Sequence, residues 1–214
     1  MGTMASSDRR ARQRAEVRER ILAAAMAVLA ADGVPALTMR RVAGDVEYTA
    51  PVIYQHFANK DALVAELVRQ GYGELTDRLQ AARLEVDIDA RLAGVACQYL
   101  RFADENEHLF EAMNGTALGA DERRAAAEPV IAVLQSLMSD WAERYEVELD
   151  LAEACEIIWG TLYGIAALGR LGTVGQDRAR ELGIQALQLL LQGWRSATEG
   201  RRPGRGPGSV AQQA

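Results

Sequence analysis

The sequence predicts an all-α chain of about nine helices, and three observations carry that expectation. Apolar residues recur at intervals of three and four through most of the 214 residues, the spacing that returns side chains to one helix face. Strand-type alternation is scarce. Gly, Asn and Asp stand where periodic stretches need starts and stops. With 49% of residues hydrophobic, the chain can build a core of ordinary domain size.

The first helix is expected from about Arg9 to Ala31, behind a disordered tail at 1–8. Val17, Ile21, Ala24, Ala25, Val28 and Leu29 form its apolar stripe, and Arg9, Arg10, Arg12 and Arg14 its solvated start. Asp32-Gly33 ends it, because glycine takes the left-handed backbone that closes a helix at little cost. Thr38 opens a second helix as a polar cap for the first-turn amides. Leu37 and Val42 occupy the two positions of a hydrophobic staple around it.

The same arrangement recurs at Thr49, between Tyr48 and Ile53. Pro51 falls in the first turn of that third helix, where a missing amide proton costs little. Asn59 caps a longer fourth helix. The rest of the chain reads as helices at roughly 59–82, 89–104, 105–113, 121–146, 150–172 and 177–198, with Asp150 capping the one that follows it. Residues 200–214 are too poor in apolar side chains to fold and are expected as a second disordered tail.

Two short helices around a tight turn follow helix-turn-helix logic. An exposed short helix bearing Thr, small residues and a Tyr-Gln-His face suits the DNA major groove. The charge distribution agrees. Residues 1–60 carry a net +3 and residues 61–214 a net −9, within a total of −6. A basic head on an acidic body is the pattern of a phosphate-contacting unit.

Cys97 and Cys155 sit in apolar helical surroundings with no CxxC and no Cys/His cluster, so they read as reduced, buried thiols, and no metal site is expected. The two histidines, His56 and His108, have no nucleophile pattern near them, and there is no phosphate-cradling glycine loop. No catalytic residue, no cofactor and no enzymatic activity are expected. No uninterrupted apolar run reaches about 18 residues. The first residues lack the apolar core of a signal peptide. A cytoplasmic protein without a membrane partner is expected.

Three motifs add a resemblance. Leu37-Thr38-x-x-x-Val42-Ala43, Thr49-x-x-x-Ile53-Tyr54-x-His56-Phe57 and Lys60-Asp61-x-Leu63 resemble the N-terminal domain of the TetR family of bacterial transcriptional regulators. Farther on, Trp159-Gly160-Thr161-Leu162-Tyr163-Gly164 is similar to a C-terminal subclass with a Trp-His-Gly signature, with Tyr163 where the histidine usually stands. The turn departs from the family pattern of Ala-Gly-Val-Ser: this chain has Val46-Glu47-Tyr48-Thr49, and Glu47 takes the place of a glycine that is typically left-handed.

The resemblance implies a helix-turn-helix DNA-binding domain at 9–58, a ligand-binding and dimerisation domain at 59–199, and an Ω-shaped homodimer. It implies phosphate contacts from Thr38, Thr49, Tyr54, His56 and Lys60. Arg40 and Arg41, in the first turn of the second helix, are placed to reach the backbone or a groove edge. Base reading falls to Ala50, Pro51, Val52 and Gln55, since Gln can pair with adenine twice and the apolar groups can meet thymine methyls.

In the body, Leu162, Ile165, Ala166, Leu187, Leu190, Leu191 and Trp194 are the expected dimer interface, a four-helix bundle. The family's small-molecule pocket would draw on Tyr99, Phe102, Phe110, Met113, Leu134, Met138, Trp141, Trp159 and Tyr163. These are large, adaptable side chains of the kind that line apolar sites. The function expected is a sequence-specific regulator of double-stranded DNA, a repressor released from a palindromic operator by a small apolar or aromatic effector. An effector-independent repressor and a helical protein-interaction module are the alternatives.

Overall fold

A computed structural model describes residues 2–82, 87–116 and 118–201. Its element order is α1 (Gly2–Ala36), α2 (Met39–Asp45), α3 (Ala50–Tyr54), α4 (Lys60–Ala81), α5 (Ile88–Glu105), α6 (Glu107–Asn114), α7 (Ala120–Tyr145), α8 (Leu151–Arg170) and α9 (Gln176–Arg201), with no strand among the described residues. The all-α expectation holds. Helices α1–α3 form the head and α5–α9 the body. Helix α4 belongs to both: it packs on α1 at its start and on α5, α6 and α7 farther along.

The helix starts follow from local chemistry. The Thr38 hydroxyl accepts the Arg41 amide at 3.1 Å, and the Asn59 side chain accepts Ala62 at 2.8 Å. Asp150 accepts the amides of Ala152 at 2.9 Å and Glu153 at 3.1 Å. Leu37 and Val42, the staple pair, are fully buried. Gly33 adopts φ 75 and breaks α1 from the turn at Val34–Ala36, as its position after Asp32 predicts.

The ends of the chain differ from expectation. Helix α1 begins at Gly2 rather than Arg9, so residues 2–8 are helical and not a loose tail. No Gly or Pro interrupts residues 3–9, and extending an established helix is far easier than nucleating one. Helix α9 runs on to Arg201. The remainder of the expected C-terminal tail, 202–214, lies outside the described residues, as does Met1.

Glu47 has φ 58, the left-handed backbone of the glycine it replaces. That geometry costs a non-glycine residue roughly 1–2 kcal/mol. Neighbouring contacts hold the turn closed. The Arg20 guanidinium lies 5.2 Å from the centre of the Tyr48 ring, donates to the Tyr48 hydroxyl at 3.0 Å and reaches the Val46 carbonyl at 3.4 Å. Glu47→Gly should therefore stabilise the head by up to about 1 kcal/mol, relieved strain being partly offset by the entropy of an unfolded glycine. Urea denaturation would read this as a raised midpoint at unchanged slope.

Helix α8 spans Leu151–Arg170. Among the described residues it is the one helix long and apolar enough, by length and composition, to cross a membrane, with 20 residues at a mean hydropathy of 1.3. Scattered Gly, Thr and Glu keep it from being an uninterrupted apolar run. Its inner face, Ala154, Cys155, Ile158, Leu162 and Ala166, is packed into the core, while Ile157 and Leu168 look outward. The helix is apolar on two faces.

Candidate DNA interface and body cavity

Helix α3 is held by its inner side. Ile53 is fully buried and Phe57, just beyond the helix, nearly so. With those two fixed, the helical period turns Thr49, Pro51, Tyr54 and Gln55 outward, and all four are exposed; Tyr54 is 53% exposed although it is aromatic. Ala50, Val52 and His56 are half-buried along the edges of this face. Thr38 and Arg40, on α2 and its cap, are exposed on the head as well.

Thr49 does not cap α3 with its side chain, contrary to the parallel with Thr38. The reason is Pro51. It occupies the second helical position and has no amide proton, and the next amide, Val52, is taken by the Thr49 carbonyl at 2.9 Å. The Thr49 hydroxyl is left exposed at the start of the helix.

Two of the cations expected to meet DNA are partly committed within the protein. Arg41 pairs with Asp32 at 2.6 Å. Lys60 donates from Nζ to the Val34 carbonyl at 2.7 Å, tying the start of α4 to the turn after Gly33. An ammonium has three donors, so two remain for other acceptors.

The sequence missed what the α1 arginines do. Arg14, read as part of a solvated start, donates to the Gln55 carbonyl at 3.2 Å. Arg18 lies 5.1 Å from the centre of the Phe57 ring and pairs with Glu66 at 3.1 Å. These contacts brace the last turn of α3 against α1 and set positive charge beside it. Burial, then Arg14 and Arg18, hold the His56 imidazole below its usual range, so at neutral pH it is an uncharged N–H donor.

In the body, α4, α5, α6, α7 and α8, with Leu187 of α9, border a cavity of about 400 Å³. Five of the nine expected ligand residues line it: Tyr99, Phe110, Met113, Leu134 and Trp159. The other four do not. Phe102 is fully buried beneath the Arg78 guanidinium, 5.3 Å from its ring centre. Met138 is sealed in the core. Trp141 is fully buried, with its indole N–H donated to Asp89 Oδ1 at 2.9 Å. Tyr163 stacks on Phe110 at 6.0 Å from the outer side.

Tyr72, Cys155 and Arg123 line the cavity unforeseen. Tyr72 donates to the Met113 carbonyl at 3.2 Å, and Arg123 donates to the Gly115 carbonyl. Burial pushes the Cys155 thiol up to about 11, so it stays protonated. Small residues such as Ala96 and Ala127 leave the space; nothing in the sequence around them marks a void.

The expected dimer stripe lies partly inside this chain. Leu162, Ala166, Leu187 and Leu191 are buried inside this chain's own core, and Ile165, Leu190 and Trp194 are half-buried against it. The large apolar side chains left uncovered on α8 and α9 are Ile157, Trp159, Tyr163, Leu168 and Leu189, the last 68% exposed. Gly160 and Gly164 lie among them with open space where a Cβ would stand.

An exposed, braced short helix on a head and a cavity in a separate helical body define a helix-turn-helix regulator. The family model for bacterial regulatory proteins of the tetR family matches residues 21–67. The tetracyclin repressor-like C-terminal domain model matches residues 92–192. The chain belongs to the TetR family of transcriptional regulators, which bind DNA and are generally not enzymes.

No curated protein matches the sequence. Among solved structures, a TetR-family transcriptional regulator from Pectobacterium atrosepticum is 25% identical with a TM-score of 0.70, covering 85% of this chain and 95% of its own. A protein of unknown function from Rhodococcus sp. RHA1 is 22% identical with a TM-score of 0.73, covering 83% and 95%. The transcriptional regulator FadR from Bacillus subtilis, solved in complex with stearoyl-CoA, is 18% identical with a TM-score of 0.69, covering 82% and 98%.

Proposed function

We propose that this chain is a cytoplasmic repressor that binds a palindromic operator as an Ω-shaped homodimer and leaves it when a small, mostly apolar or aromatic molecule fills the body cavity. The observation that carries this reading is the outward face of α3, where Thr49, Pro51, Tyr54 and Gln55 stand clear of the protein while Ile53 and Phe57 anchor the other side. Head and body divide at about 58/59, the cap of α4.

In this reading Thr38, Thr49, Tyr54, His56 and Lys60 position the duplex through its phosphates, and Arg40 and Arg41 reach the backbone or a groove edge. Ala50, Pro51, Val52 and Gln55 meet base edges. The partner subunit covers the apolar surface left open on α8 and α9, with Gly160 and Gly164 allowing close helix approach. A two-fold pair then presents both α3 helices to half-sites about 34–36 Å apart.

Helix α6 is the proposed lever. Its Phe110 and Met113 line the cavity, and its His108 sits against Gly33, where an added Cβ would come within 3.3 Å of the imidazole. Helix α4, which carries Tyr72 in the cavity wall, meets the same seam through Lys60 and Val34. A ligand that prefers one setting of this seam shifts head spacing, and by linkage the DNA prefers the other.

Selection of bound duplexes from a random pool tests the reading. A two-fold symmetric site is the expected outcome; a pool without enrichment overturns it. Lys60→Ala should weaken binding to all sequences and lower the slope of log affinity against log salt by about one unit. Its cost in stability should stay below about 1 kcal/mol, because the Val34 carbonyl keeps the Leu37 amide at 3.2 Å when the ammonium is gone. Salt titration of binding and urea denaturation read the two effects separately.

A further inference from the structure

We propose that the cavity selects a largely apolar molecule bearing a hydrogen-bond-accepting oxygen of the carbonyl type, and that the Tyr99 hydroxyl reads that oxygen. This rests on the cavity being the effector site.

Tyr99 projects from α5 into the cavity wall and is 6% exposed. Among the described residues its hydroxyl is the buried side-chain group left without a hydrogen-bond partner. Buried phenols in folded proteins ordinarily find one. The ring is pinned by an edge-to-face contact with Phe110, 5.6 Å between centres, on one of the cavity's walls.

None of the polar side chains around the cavity takes the proton. The Trp159 indole, beside the phenol, is a donor only. At best it gives its own N–H to the phenol oxygen, and the phenol O–H remains unmatched. The Tyr72 hydroxyl gives its proton to the Met113 carbonyl, and its oxygen makes no hydrogen bond with Tyr99; the Arg123 guanidinium is a donor only and is committed to Gly115. Burial drives the Tyr99 phenol far above its ordinary range, so it remains a donor at every physiological pH.

What is missing is an acceptor, and the cavity is the space from which one can arrive. The rest of the lining near α4 and α5 is hydrocarbon: Leu75, Leu79, Leu92 and Val95. A ligand that fills this volume with apolar atoms and places one oxygen against Tyr99 satisfies that hydroxyl and the hydrocarbon around it. A hydrocarbon of the same shape leaves the O–H unmet, and a site built around a buried polar group discriminates against the analogue that lacks its partner.

The test uses two probes that share a ring and a butyl chain and differ in one ketone oxygen, 4-phenyl-2-butanone and butylbenzene. Affinities of both for the full chain and for Tyr99→Phe, by calorimetry, give a ratio of ratios in which the hydration of the probes cancels. The preference for the ketone should fall about tenfold in Tyr99→Phe. The free variant should melt no lower than the parent, since it loses only an unpaired group. If both probes bind both proteins with an unchanged ratio, the cavity reading stands and the role of Tyr99 is overturned. If neither probe binds either protein, both readings fall.

Discussion

Trp141→Ala is expected to destabilise the chain by about 3–5 kcal/mol, the range for emptying a large aromatic from a packed core. The indole is 0% exposed, and its N–H donates to Asp89 Oδ1 at 2.9 Å while the Tyr145 hydroxyl donates to Oδ2 at 2.5 Å. Arg195 from α9 lies 4.1 Å from the centre of the Tyr145 ring. One carboxylate at the start of α5 thus gathers the end of α7, with α9 laid over the same ring. Trp141→Phe keeps much of the volume but removes the donor, and should cost about 1–2 kcal/mol. Urea denaturation of both variants checks the order. The same pair separates a structural Trp141 from a ligand-contacting one: probe affinity in the folded Phe variant should match the parent. A weakened affinity at unchanged stability would return Trp141 to the cavity wall.

The features legible in the sequence were those decided within a few residues. Thr38, Asn59 and Asp150 cap helices because the amides they accept lie two or three positions on. Gly33 and Glu47 take left-handed backbone because the chain turns there, whatever lies beyond. Thr49 shows the limit of such reasoning: the same residue type in the same position fails to cap because the proline two residues later removed the amide. The features that escaped were decided by residues far away in sequence. Helix α8 is apolar on two sides, so its pattern cannot say that Leu162 and Ala166 face inward and Ile157 and Leu168 outward; only packing against α5, α7 and α9 decides that. Arg14 reads as a solvated charge until α3 is folded beneath it. Trp141 and Trp159 look alike in a helical period, yet one holds the half-buried Asp89 carboxylate and the other borders a cavity.

Gln55→Ala should relax preference at one base position of each half-site, weakening the cognate duplex by roughly 10- to 100-fold, the discrimination carried by one good base contact. Two structural facts confine the effect to readout. The side chain is exposed, so its loss leaves the core of the head intact. The contact that braces this end of α3 is made by the Gln55 carbonyl to Arg14, which alanine retains. Affinity for random duplex and the dependence on salt should therefore stay at parental values, because no phosphate-neutralising cation is removed. Arg14→Ala is the counterpart. It keeps the base-reading side chain but frees the last turn of α3 and removes a cation beside it, so it should weaken cognate and random duplexes together and flatten the salt dependence. Binding isotherms on both duplexes at several salt concentrations distinguish the two. Equal losses on cognate and random DNA from Gln55→Ala would remove Gln55 from the base-reading face and leave α3 as a backbone-gripping element alone.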